Sequence, residues 1–141
     1  TTAGKPGRPV FVNEGPQFLR HGKKVFIVYS ASGCWTNTYA LGMLTAANGD
    51  DLLNPNVWKK SEKPVFQQSL EKKVYGTGHN SFFKSPNGKE DWLLYHANSG
   101  PDQGCSNKRS PRAQKITWSK KGLPLFGEPV AEGITLPYPA R

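Results

Sequence analysis

Apolar and polar positions follow one another in short runs, and glycine, proline, asparagine and aspartate cut between them. This is the pattern of strands and turns rather than of long helices. In the stretch VFVNEGPQFLRHGKKVFIVYS, residues 10–12 read as a short strand and Asn13-Glu14-Gly15-Pro16 as a turn. Residues 17–20 read as a second strand, closed by a hairpin turn at Gly22. Residues 25–30 are almost continuously apolar, which predicts a strand buried on both faces. A loop at 32–37, a strand at 39–46 and a breaker-rich segment at 48–56 follow. Residues 57–61 with Val65 and Phe66 supply an outer strand.

The order then repeats. Strands are expected at 80–84, 91–97 and 112–118, with a hairpin turn at Ser85-Pro86-Asn87-Gly88 and an outer strand reached at Pro129-Val130. Residues 136–141 are proline-rich and are expected on the surface. Aligned by eye, Gly15 matches Gly78, Gly22 matches Gly88 and Tyr29 matches Tyr95, a period of roughly 65 residues that signals a fold of repeated units. Glu14 and His79 then fall at nearly equivalent places. Four antiparallel strands per repeat predict an all-β chain of about two propeller blades, with a β-sandwich of two four-stranded sheets as the alternative. The divisions are residues 1–12 as an arm with a short strand, 13–68 as the first blade, and 69–141 as the second blade and tail. Propellers close with about 4–8 blades, so the expectation is an incomplete propeller. An N-terminal propeller segment or a partner chain would supply the rest.

Charge changes this picture little. The chain has 141 residues, 19 Lys and Arg against 10 Asp and Glu, and a net charge of +9. The lysines come in scattered pairs within turns, which describes a solvated basic surface or one drawn to acidic polysaccharide. Nucleic acid is not an expected partner. Neither is a membrane, because no apolar run approaches the roughly 20 residues of a span. No signal peptide is visible, and a mature chain would have lost one. Cys34 and Cys105 each follow a glycine in a strand-end loop, at corresponding places in the two repeats. A disulfide between them would point to an oxidising compartment; two free thiols are the alternative.

Glycoside hydrolysis with inversion needs a carboxylic acid to protonate the leaving oxygen and a second carboxylate to activate water. Glu14, held in a turn between apolar strands, is the candidate acid; the alternative is an ordinary surface glutamate. None of the other acidic residues pairs with it as a base. His79 suits a metal, a water or a sugar, or else a structural role. Arg112 and Gln114 alternate by two, so they share a strand face that binds hydroxyl or carboxylate groups or packs as an edge. Trp35 is a sugar platform or a loop anchor.

Several blocks in order carry a resemblance: EGPQFL, VFIVYSASGCWTNTYALGMLTA, DLLNPNVWKKSEKPVFQ, YGTGHNSFFKSPNGKEDWLLYHAN and CSNKRSPRAQKITW. From about residue 13 to 130 the chain resembles the C-terminal half of glycoside hydrolase family 43, and most of all its secreted α-L-arabinofuranosidase-type members. The resemblance implies a five-bladed β-propeller and an inverting hydrolase of plant cell-wall arabinan, arabinoxylan or xylan. It implies Glu14, in its Glu-Gly-Pro motif, as the general acid. His79 becomes the axial histidine, beside a water or a structural cation such as calcium. Arg112 becomes the pocket arginine, with Arg109 close by. No cofactor is required for the chemistry. The family's two catalytic aspartates come from earlier blades, and no residue here takes either role. The alternative is therefore a catalytically incomplete carbohydrate-binding or interaction protein.

Overall fold

The computed structural model describes residues 10–141; the rest of the expected N-terminal arm lies outside them. The apolar run KVFIVYSA forms β2 (Lys24–Ala31), flanked by β1 (Asn13–His21) and β3 (Ala40–Ala47), with a short outer strand β4 (Lys59–Lys60). The second unit contains β5 (Tyr75–Lys84), β6 (Asp91–Asn98), β7 (Ser110–Trp118) and β8 (Pro124–Leu125). These make two four-stranded sheets in the orders β1-β2-β3-β4 and β5-β6-β7-β8, antiparallel throughout. Each is a propeller blade. One three-residue 3-10 turn, Pro55–Val57, is the helical element among the described residues.

The blades meet through alternate residues of their central strands. Phe26 and Val28 of β2 face Leu93, Tyr95 and Ala97 of β6 across one core, closed by Leu41, Phe66 and Phe126. Phe66 stands edge-on to Tyr95 at 4.7 Å between ring centroids. Burying each such side chain contributes about 1.5–3 kcal/mol. β5, the first strand of its blade, contacts β1, β2 and β3 of the other. At the far end of the strands, His21 stacks on Trp118 at 3.8 Å.

Three boundaries differ from the sequence expectation. Residues 10–12 are not a strand, and the expected Asn-Glu-Gly-Pro turn lies inside β1. The glycine that suggested a turn instead opens a bulge, and Pro16 is tolerated because β1 is an edge strand. β5 begins at Tyr75 rather than Asn80, since Gly76 and Gly78, which read as punctuation, lie inside the strand. The outer strand of the second blade is Pro124–Leu125, paired with Thr117 and Trp118, and not Pro129-Val130.

Candidate active site

Pairing between β1 and β2 jumps from Glu14↔Ser30 to Gln17↔Val28, so Gly15 and Pro16 together oppose Tyr29. Pairing between β5 and β6 jumps from Gly78↔His96 to Ser81↔Leu94, so His79 and Asn80 oppose Tyr95. The first residue of each bulge is left-handed: Gly15 at φ 55° and His79 at φ 53°. The equivalent residues are thus Glu14 and Gly78, Gly15 and His79, Ser30 and His96. The alignment by eye, Gly15 on Gly78, is one residue out. The loops obey the same correspondence. Ala40 pairs with Ala31 at the start of β3, and Ser110 with Ala97 at the start of β7. Tyr39 and Arg109, one residue before each, are equivalent.

These positions converge at the blade junction. The Tyr39 hydroxyl donates to Glu14 Oε1 at 2.6 Å. The His79 amide donates to Ser30 Oγ at 2.6 Å, and the Ser30 hydroxyl beside Tyr39 opposes part of the upward shift of the phenol. A Cβ on Gly15 would lie 3.6 Å from the His79 ring, so the residue after Glu14 packs on the imidazole. Gly78 is obligatory, because any Cβ there would enter the Tyr39 ring. The His79 and His96 rings lie 5.8 Å apart and nearly parallel. Burial, and then the bond to Glu14, push the Tyr39 phenol up to about 12. Burial lowers His96, helped by the charges of Arg109 and His79. Among the described residues, Arg109 Nε is buried without a hydrogen-bond partner.

The two loops that deliver Tyr39 and Arg109 are fastened together. Cys34 and Cys105 form a disulfide with Cα atoms 5.3 Å apart. Asn37 Nδ2 donates to Asp102 Oδ1 at 2.9 Å, and the Asp102 amide returns a bond to Asn37 Oδ1 at 2.8 Å. Trp35 lies over Gly33, where a Cβ would enter its ring, and remains half exposed.

The family model for Glycosyl hydrolases family 43 matches residues 1–124. The chain belongs to this family. Over 129 residues it is 49% identical to the "Extracellular exo-alpha-(1->5)-L-arabinofuranosidase" of Streptomyces avermitilis, covering 88% of this chain and 26% of that protein. It is 39% identical over 129 residues to "Alpha-L-arabinofuranosidase 43" of Humicola insolens, with the same coverage of 88% and 26%. Among solved structures it is similar to an alpha-L-arabinofuranosidase from Lactobacillus brevis. The TM-score is 0.81 and the identity 41%, over 88% of this chain and 39% of that one. The chain thus spans about a quarter of the length of these curated relatives.

Within this family-43 unit, the residues expected at the site divide. Glu14 and His79 lie at the same junction, where Gly15, next to Glu14, packs on the imidazole. Arg112 does not join them: its Nη2 donates to Ser99 Oγ at 2.8 Å and lies 3.8 Å from Glu132. Arg109, three residues earlier, is the arginine whose charge reaches Tyr39 and His96. Gln114 is buried and engaged. Its Nε2 donates to the carbonyls of Phe126 at 2.6 Å and Glu128 at 3.1 Å, and its Oε1 accepts from Tyr95 and the Val130 amide. It holds the tail and has no polar atom left for a sugar. Around His79 no group of three His, Cys, Asp or Glu side chains exists among the described residues. Its neighbours there are the His96 ring and Gly15.

The other face of the first blade is open. Phe18, Ile27 and Leu44 form an apolar row across three strands by register, and Phe18 is 55% exposed. A groove of about 330 Å³ there is lined by Glu14, Pro16, Ile27, Tyr29 and Leu44 among others. Glu14 therefore borders both the blade junction and this groove.

Proposed function

We propose that this chain is the part of a secreted, inverting hydrolase that supplies the general acid, Glu14. The enzyme releases α-L-arabinofuranosyl residues from plant cell-wall arabinan or arabinoxylan. The observation that carries the reading is a carboxylate held by Tyr39 beside a strand bulge whose glycine packs on His79, in a chain whose relatives bear arabinofuranosidase names. Glu14 gives its proton to the glycosidic oxygen as the bond from that oxygen to the anomeric carbon breaks, its electron pair going to the oxygen. Water adds to the anomeric carbon from the opposite side, and its proton passes to a second carboxylate. That carboxylate belongs to a further blade of the same hydrolase, packed on the apolar row of Phe18, Ile27 and Leu44. Trp35 offers a half-exposed ring to a sugar, and the disulfide suits an extracellular protein.

The test compares leaving groups on the hydrolase. Glu14→Gln is expected to cut turnover of arabinofuranosides with poor leaving groups by about 10²–10⁴-fold and to spare activated aryl substrates. Equal loss on both kinds rejects Glu14 as the acid.

A second reading is a binding or interaction protein without hydrolysis. Its support is that Glu90, Asp91, Asp102, Glu128 and Glu132 are all engaged elsewhere, with Lys115, Lys84, Asn37, Lys72 and Arg112 respectively. Arabinan binding by purified protein that releases no arabinose would favour it.

A further inference from the structure

We propose that Tyr39 is the positioning residue for the acid. Its hydroxyl donates to Glu14 next to Ser30, which accepts from the His79 amide of the other blade. The inference rests on the reading of Glu14 as a general acid and assigns the device that holds it.

The direction of each bond is fixed. An amide N–H only donates, so Ser30 Oγ accepts from His79 at 2.6 Å. The phenol proton goes to Glu14 Oε1 at 2.6 Å. Hydrogen bonds are stronger in a buried setting than in water, and Tyr39 and Ser30 are both fully buried. The His79–Ser30 bond crosses the junction, from the backbone of the second blade to the first.

The chemical consequence concerns which oxygen carries the proton. Oε1 is committed as an acceptor, so the transferable proton resides on Oε2. As that proton leaves for the glycosidic oxygen, negative charge grows on the carboxylate, and the Tyr39 bond becomes charge-assisted. An interaction stronger in the transition state than in the ground state lowers the barrier. Gly78 makes the arrangement possible, since a side chain there would occupy the space of the Tyr39 ring.

Tyr39→Phe in the hydrolase should lower kcat on poor leaving groups by about 10- to 100-fold, the worth of one hydrogen bond to a charged group. KM should stay within about twofold, and activated substrates should lose much less. Gly78→Ala, which displaces the same ring, should reproduce the split. Equal losses on both substrate classes, or a change in KM alone, would overturn the proposal. Spectrophotometric tyrosine titration gives a readout that does not depend on turnover. The wild type should show two phenols titrating at about 12, Tyr39 and Tyr95; Tyr39→Phe should remove one of them and Glu14→Gln should move that one down while the other stays. A titration curve unchanged by Glu14→Gln means the bond is absent in solution and ends the inference. Full retention of poor-leaving-group turnover in Glu14→Gln instead removes the acid assignment, and the positioning role with it, even where the titration still reports the bond.

Discussion

At equivalent places, the first blade carries Glu14, Gly15, Ser30 and Tyr39, and the second carries Gly78, His79, His96 and Arg109. The backbone is alike in both: a two-residue bulge opposite a tyrosine, and a loop ending one residue before the third strand. The chemistry is not. One blade offers a carboxylate and hydroxyls, the other imidazoles and a guanidinium. The difference shows that the repeat supplies positions and the side chains supply function. It is clearest at the left-handed residue. Gly15 adopts that conformation freely, whereas His79 adopts it at φ 53°, against a steric cost of about 1–2 kcal/mol for a residue with a Cβ. An imidazole stands where the backbone alone favours glycine, as is common where strain is kept at a functional site.

The widest test of this pairing is to cut what holds the two loops in correspondence. The disulfide closes a segment with a sequence separation of 71, and a loop of that size contributes about 4 kcal/mol in the chain-entropy model. Cys34→Ser with Cys105→Ser should lower the urea midpoint accordingly and loosen Tyr39 and Arg109, read as faster amide exchange in residues 33–39 and 104–109. Unchanged exchange would mean that the Asn37–Asp102 bonds alone align the loops.

A smaller effect separates the two bulges. Gly15→Ala should cost about 1–2 kcal/mol, because its Cβ meets only ordinary contact with the His79 ring and the loss is conformational. His79→Gly should leave stability unchanged or raise it by up to about 1 kcal/mol while removing the imidazole. Denaturation midpoints that move in the same direction would break the equivalence of the two residues.

The smallest effect depends on pH. His96 takes the place of Ser30, and its pKa is lowered from 6.5 by burial first, then by Arg109 and His79. The unfolded chain therefore binds this proton more readily than the folded one. The contribution to stability is present above pH 6.5 and is lost as pH falls from there through the lower folded value. His96→Ser should flatten that part of the stability curve, measured by urea unfolding between about pH 7 and 5, the range in which histidine titrates.

The strands were legible because their signal is local: alternation and apolar runs mark β2, β3, β6 and β7 to within a few residues. The repeat, the Glu-Gly-Pro acid candidate and the loop position of both cysteines were legible for the same reason. Glycine misled at the β1 bulge, where φ above zero at Gly15 served a paired strand rather than a turn. Choosing Arg112 over Arg109 was a matter of register, since three residues along β7 and its approach separate the tail-facing side from the junction. Gln114 read as a ligand because its strand face was known and the tail that occupies it was not.

Residue order alone therefore determined that this is an all-β, repeated, family-43 chain with a carboxylate beside a glycine. Tertiary structure decided what surrounds that carboxylate. Tyr39, from the loop before β3 of its own blade, bonds it, and His79 of the next blade packs on its neighbour Gly15. Strand pairing and blade packing are contacts between distant segments, and a one-residue slip in register turns every side chain to the opposite face.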